Sequence, residues 1–225
     1  MLRYLLNDGN IQSYIVQLLL TLPVVLLSLS VHETAHGYVA YRLGDPTAHS
    51  MGRLTLNPLK HLDLFGFLSM ILLGFGWAKP VPVNARYFKN PKRDMALTGL
   101  AGPLSNLLLA LVFAVAMKSF YLALPYLPIP NTTVSTMLGF FHDFLFYGIY
   151  LNVAFAIFNL LPVPPMDGSR LLFAVLPSPL YFKIMRYEQY IYIGMILLLA
   201  LGVITPIISY LTNAVVRGIF LLFAL

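Results

Sequence analysis

The residues in this 225-residue chain best spaced for chemistry are His32-Glu33-Thr34-Ala35-His36. Residues four apart on a helix share a face, with Cβ atoms about 5–6 Å apart. Two imidazoles so placed can each bring a nitrogen to about 2.0–2.1 Å from one Zn²⁺. Glu33 then projects beside them, where its carboxylate can take a proton from a water activated by the ion. Little more than one helical turn therefore supplies two ligands and a base. The alternative, three polar residues on a solvated helix end, conflicts with the apolar run Ile11 to Val31 that precedes them. An ionisable side chain inside hydrocarbon costs about 2.5–3.5 kcal/mol on the insertion scale, and a bound metal offsets that cost.

A catalytic zinc takes three protein ligands and keeps one position open. The candidates for the third are Asp167, His49, His61, Asp63 and Glu188. Asp167 is the best placed. It ends the Pro/Gly-rich turn Pro162-Val163-Pro164-Pro165-Met166-Asp167-Gly168, at the membrane edge and on the side of the His36 end of the first helix. A role as N-cap for the short apolar run that follows does not explain the prolines before it. His142-Asp143 reads as a water-facing couple rather than a second metal pair. His49 and His61 read first as surface or packing residues. The absence of cysteine excludes disulfides and thiolate ligands.

The elements that must hold these residues are helices in a bilayer. The chain is 59% hydrophobic and 10% charged, with a mean hydropathy of +0.81, against about 25% charged for a soluble domain. One integral-membrane domain over 1–225 is expected, all-α, a polytopic helical bundle. Spans are expected at about 11–43, 94–120, 136–161, 190–204 and 207–225, the first a permanent span rather than a removed signal. Either both of the last two cross, or the final one lies along the interface with Arg217 snorkelling. The net charge of +6 sits in loops between apolar segments, where it encodes topology rather than a nucleic-acid surface. Basic loops 44–93 and 162–188 place the metal near the cytoplasmic side.

The insertion after the first helix differs in kind. Arg53–Asn57 and Val81–Tyr87 alternate with period two and predict short strands, the second demoted to an edge by its prolines. Between them, 62–76 is apolar but too short to span, with basic flanks on both sides, and predicts a re-entrant or interfacial segment. An edge strand here could take up an extended substrate by strand addition, which makes Val81 and Val83 candidate substrate-binding residues. Asn106, in Gly99-Leu100-Ala101-Gly102-Pro103-Leu104-Ser105-Asn106, is a polar group in an apolar run. It reads equally as helix-packing glue and as a substrate-binding part of the site.

Three motifs in this order, His32-Glu33-x-x-His36, Gly102-Pro103-x-x-Asn106 and Asn159-x-x-Pro162-x-Pro164-x-x-Asp167-Gly168, resemble the signature of the site-2 proteases, the intramembrane zinc metalloproteases. The match covers that family's three-helix catalytic core. The resemblance implies one zinc per chain with Asp167 as third ligand, and Asn159 holding the substrate carbonyl or oxyanion. Gly44-Asp45-Pro46-Thr47-Ala48, Gly52–Pro58 and Gly76–Asn84 resemble the small bacterial branch, without PDZ or CBS domains. The implied function is hydrolysis of peptide bonds in or near transmembrane segments of membrane-anchored substrates, in a bacterial plasma membrane. Two rivals are a metal transporter, which predicts more intramembrane carboxylates than this chain has, and a non-catalytic scaffold, which leaves Glu33 unexplained. A di-iron oxygenase needs more than the 5 histidines present.

Overall fold

The computed structural model describes residues 11–73, 76–129 and 131–225. Among these the chain order is α1 (Ile11–Arg42), α2 (Thr47–Ser50), α3 (Leu64–Leu73), α4 (Pro91–Ala123), α5 (Thr132–Leu160), α6 (Gly168–Val175), α7 (Ser178–Met185), α8 (Glu188–Ala200) and α9 (Thr205–Phe223). Helices α1, α4, α5 and α9 are long and apolar enough to cross a membrane. Helix α8, at the expected fourth span, has 13 residues, and at 1.5 Å per residue reaches about 20 Å of the roughly 30 Å hydrocarbon. The 19 residues of α9 reach about 28 Å.

Local chemistry sets the helix ends. Asn131 caps α5 by accepting from Val134 N at 3.0 Å. The C-terminus of α1 closes in a Schellman turn, with Asp45 N bonded to Ala40 O and Gly44 N to Tyr41 O. Gly44 has φ +110°, which a side chain would resist. Inside α1, Ser28 and Ser30 return their hydroxyls to Val24 O and Leu26 O, each at 2.7 Å, so neither faces lipid unpaired.

Helices α4 and α5 form the centre of the bundle. They run antiparallel, as the pairs Asn106–Asn152, Phe113–Phe144 and Phe120–Phe141 require. Ala110, Phe113, Ala114 and Met117 pack on Leu145, Ile149 and Val153, and α9 closes the group with Val216 and Ile219. Lipid is as apolar as these side chains, so close packing rather than exclusion from water holds the helices together. Gly148 shows how tight the fit is: a Cβ there would fall on the Phe113 ring.

The insertion is not a β-structure. The expected strands Arg53–Asn57 and Val81–Tyr87 are absent, and among the described residues the only ladder contact is one isolated antiparallel bridge, Leu62 to Ala78. The groups a ladder would use are taken by other partners. Thr55 O accepts from Thr34 Oγ1 and His61 Nε2 at 2.6 and 2.7 Å. Pro80 and Pro82 have no N–H to offer, Asn84 N donates to Asp45 Oδ2, and Ala85–Tyr87 winds into a 3₁₀ turn. The chain leaves and returns at the Leu62–Ala78 bridge, and in between α3 is tied to α1 where Ile71 O accepts from Tyr14 Oη at 2.8 Å.

Candidate metal centre

Helix α1 presents His32 and His36 one turn apart, both buried, with their rings 4.6 Å apart and nearly perpendicular. Asp167 reaches the same point from the turn after α5. The three facing atoms form an almost equilateral triangle: Nε2 to Nε2 is 3.0 Å, and Asp167 Oδ2 lies 3.0 and 3.1 Å from the two nitrogens. Donors around a tetrahedral ion at 2.0–2.1 Å stand about 3.3 Å apart, so the set matches to a few tenths of an ångström.

Proton bookkeeping says what belongs between these atoms. Asn106 uses its amide nitrogen on Ser28 O and Asn152 Oδ1, at 3.2 and 3.0 Å. Its Oδ1 must therefore face His32 Nδ1, 2.6 Å away, and that nitrogen must be the donor. His36 Nδ1 likewise has only a carbonyl to bond, Thr98 O at 2.6 Å. In the neutral imidazoles both Nε2 atoms then carry bare lone pairs, aimed at each other and at a carboxylate. Three such groups in van der Waals contact repel. One proton can bridge a single pair, whereas a divalent cation satisfies all three.

The backbone leaves room for such an ion. On α4, Gly102 stands against both imidazoles, and an ideal Cβ there would lie 2.6 Å from His32 Nε2 and closer still to His36 Nε2. One turn earlier, Gly99 lets the Asp167–Arg170 segment close on α4. The Asp167 turn depends on Gly168, where a Cβ would strike the carbonyls of Leu160 and Leu161 that end α5.

Glu33 lies beside this group but faces the insertion. Its Oε2 accepts the backbone N–H of Val81 at 2.7 Å. The segment carrying Val81 is fixed at both ends. The buried Arg53 donates Nη2 to Lys79 O and Pro80 O at 2.7 and 3.3 Å, and the buried Asp45 accepts Asn84 N at 2.6 Å. Val81 itself is buried against Gly37, and Val83 is half-buried beyond it. Asn159, in the last turn of α5, is half-buried and returns its amide to Phe155 O at 3.0 Å. Among the weaker ligand candidates, His49 stacks on Tyr41, His61 is buried with Nε2 on Thr55 O, and Asp63 accepts from Gly66 N near the start of α3. His142 and Asp143 pair at 3.1 Å on the surface.

A profile of peptidase family M50 matches residues 20–201, a stretch that includes the histidine pair, Asn106, Asn159 and Asp167. This chain belongs to peptidase family M50. It is 43% identical over 190 residues to "Putative zinc metalloprotease YwhC" of Bacillus subtilis, covering 83% of this chain and 80% of that one. It is 32% identical over 161 residues to "Putative zinc metalloprotease Rip2" of Mycolicibacterium smegmatis, covering 69% of this chain but only 57% of that protein. It is 30% identical over 142 residues to "Putative zinc metalloprotease MJ0611" of Methanocaldococcus jannaschii, with 63% of this chain and 62% of that one covered. No solved structure matches.

Family M50 membership makes the chain a multi-pass membrane metalloprotease, and zinc is its metal. The donor set fits that ion: two imidazole nitrogens and one carboxylate oxygen, without sulfur. Sequence reasoning brought His32, His36 and Asp167 to one place. It did not find what stands behind them. Asn106, read equally as packing glue and as a substrate-binding part, is fully buried with His32, Ser28 and Asn152 on its polar atoms. Thr98 acts through a main-chain carbonyl, for which no side-chain signal exists. Asn152 had one: it is polar in an apolar helix and sits seven residues before Asn159, on the same face.

Proposed function

We propose that this M50 peptidase hydrolyses peptide bonds in or near transmembrane segments of membrane-anchored proteins, with zinc held by His32, His36 and Asp167. The supporting observation is the triangle of three inward-facing lone-pair donors, built at bilayer depth. His32 lies ten residues, about 15 Å of helix, from the Arg42 end of α1. Zinc supplies Lewis acidity there, activating water near neutral pH and polarising a carbonyl.

The chain's own residues do the rest. His32 and His36 keep their Nε2 lone pairs free because Asn106 Oδ1 and Thr98 O take the Nδ1 protons. Glu33 is the general base: it accepts the proton of the attacking water and passes it to the leaving amine. The Val81 amide holds Glu33 Oε2, so the other oxygen handles the proton. Asn159, at the mouth of the Asp167 turn, donates to the oxyanion as its bond to Phe155 O is exchanged. Val81 and Val83 belong to a segment without helix or sheet partners of its own, beside which an unwound substrate strand would lie. The site faces the cytoplasm of a bacterial plasma membrane. Lys89, Lys92 and Arg93 before α4, and Lys183 and Arg186 after the Asp167 turn, support that orientation.

Glu33→Gln in proteoliposomes with a membrane-anchored reporter tests the reading. Zinc content and helicity should equal those of the parent protein, and cleavage should fall by at least 100-fold, the lower end of general-base contributions of about 10²–10⁴. Cleavage at the parental rate would remove Glu33 from the chemistry.

A further inference from the structure

We propose that Asn152 is a positioning residue for the metal centre: through Asn106 it fixes the tautomer and the orientation of His32. The proposal rests on His32 being a zinc ligand. It extends the site by one helix, since α1 carries the imidazole, α4 the middle amide and α5 the far one.

The chain of bonds starts from a group that cannot turn. Gly148 O is a main-chain carbonyl of α5, and Asn152 Nδ2 donates to it at 2.8 Å. That fixes which way the Asn152 amide points, and its Oδ1 accepts from Asn106 Nδ2 at 3.0 Å. The second Asn106 amide proton goes to Ser28 O at 3.2 Å, another main-chain carbonyl. Asn106 Oδ1 is then left facing His32 Nδ1 at 2.6 Å. Turning Asn106 by half a rotation would set oxygen against oxygen twice and N–H against N–H once. Three bonds would become three repulsions.

Each link matters because the surroundings offer no substitute. Asn106 and Asn152 are both fully buried, and Ile149, Val153 and Ala156 surround Asn152 on its own helix. A buried amide without a partner is costly, and at membrane depth water does not stand in for one. Two asparagines in such positions are stable only as a completed chain, and a completed chain has a single polarity. Its output is a His32 Nδ1–H, and so an Nε2 lone pair directed at Asp167 and His36. Partners one step behind metal ligands typically change metal affinity by about 10–100-fold. Asn152 stands one step further back and acts only through Asn106.

A double-mutant cycle on the full chain in detergent micelles tests this dependence on Asn106. The variants are Asn152→Val, Asn106→Val and both together, with zinc affinity read by chelator competition and ligand geometry by the absorption of the cobalt-substituted protein. Asn106→Val and Asn152→Val should each weaken zinc at least 10-fold. The double variant should bind as Asn106→Val alone does, within about threefold, because the route to His32 is already cut. Two independent losses that multiply, or full affinity in Asn152→Val, would overturn the proposal. Where Asn152→Val fails to fold, Asn152→Leu, close to asparagine in shape but without its amide, takes its place in the cycle with the same expected and overturning outcomes. A His32→Ala variant separates this from the reading of the site. If His32→Ala leaves zinc affinity unchanged, the ligand assignment fails; if His32→Ala abolishes binding but the cycle is additive, only the role of Asn152 fails.

Discussion

Gly102→Ala is the sharpest test of how the site is built, because its expected sign is opposite to the usual one. Replacing a helical glycine by alanine ordinarily stabilises a protein by about 0.4–1 kcal/mol. At Gly102 the added methyl would stand 2.6 Å from His32 Nε2, and closer to His36 Nε2, where ordinary contacts begin near 3.4 Å. Relief therefore requires a movement of about 1 Å by α4 or by both rings. Neither is free to move, since each imidazole is tied through Nδ1 to α4 itself. Crowding of this kind costs about 1–3 kcal/mol. Misplacing a reacting group by about 1 Å costs on the order of 10²-fold in rate. We expect Gly102→Ala to bind zinc at least 100-fold more weakly, about 2.7 kcal/mol, and to lose reporter cleavage. Gly139→Ala and Gly218→Ala are the controls, as a Cβ at either meets nothing within 4 Å. Chelator competition, reporter cleavage and thermal unfolding should be measured on all three. A Gly102→Ala protein with parental zinc affinity and activity would show that the imidazoles do not face α4 as described.

Two further perturbations address the insertion. Val81→Pro removes one N–H and leaves the flanking prolines in register, so Glu33 loses its anchor. A hydrogen bond to a charged group contributes about 1.5–3 kcal/mol, so cleavage should fall about 10-fold or more while zinc content stays unchanged; unaltered turnover would mean that the amide does not orient the carboxylate. Asp45→Ala leaves the amides of Thr47 and Asn84 without their acceptor, in a fully buried position. Its unfolding free energy should drop by about 2–6 kcal/mol, at about 1–3 kcal/mol for each amide left unpaired, and limited proteolysis should first cut near residue 84; a parental melting temperature would refute the clamp.

The sequence alone determined whatever a single element can specify. The four-residue spacing of His32 and His36 commits both to one helix face, because 3.6 residues make a turn. The apolar runs commit α1, α4 and α5 to the bilayer, because an unpaired backbone there has no alternative to a helix. The Pro-rich turn ending in Asp167-Gly168 marked Asp167 as the candidate third ligand by its chemistry, and the family motifs raised that expectation. Period-two alternation misled at Arg53–Asn57 and Val81–Tyr87. It reports which side chains face inward, but it says nothing about which groups take the backbone hydrogen bonds. Here Thr34, His61, Asp45 and Glu33 take them.

Tertiary structure decided everything that depends on two elements meeting. Asp167 Oδ2 lies 3.1 Å from a nitrogen 131 residues earlier in the chain. No local pattern encodes that distance, and it follows from Gly99, Gly102 and Gly168 allowing the backbones to close. The same closure set Asn106 against His32, with Asn152 behind it. A lone asparagine in an apolar helix advertises only that it needs a partner. Which partner it finds, and so whether it is packing, ligand support or substrate contact, is settled by the neighbouring helix, because hydrogen bonds act over about 3 Å and sequence separation does not enter.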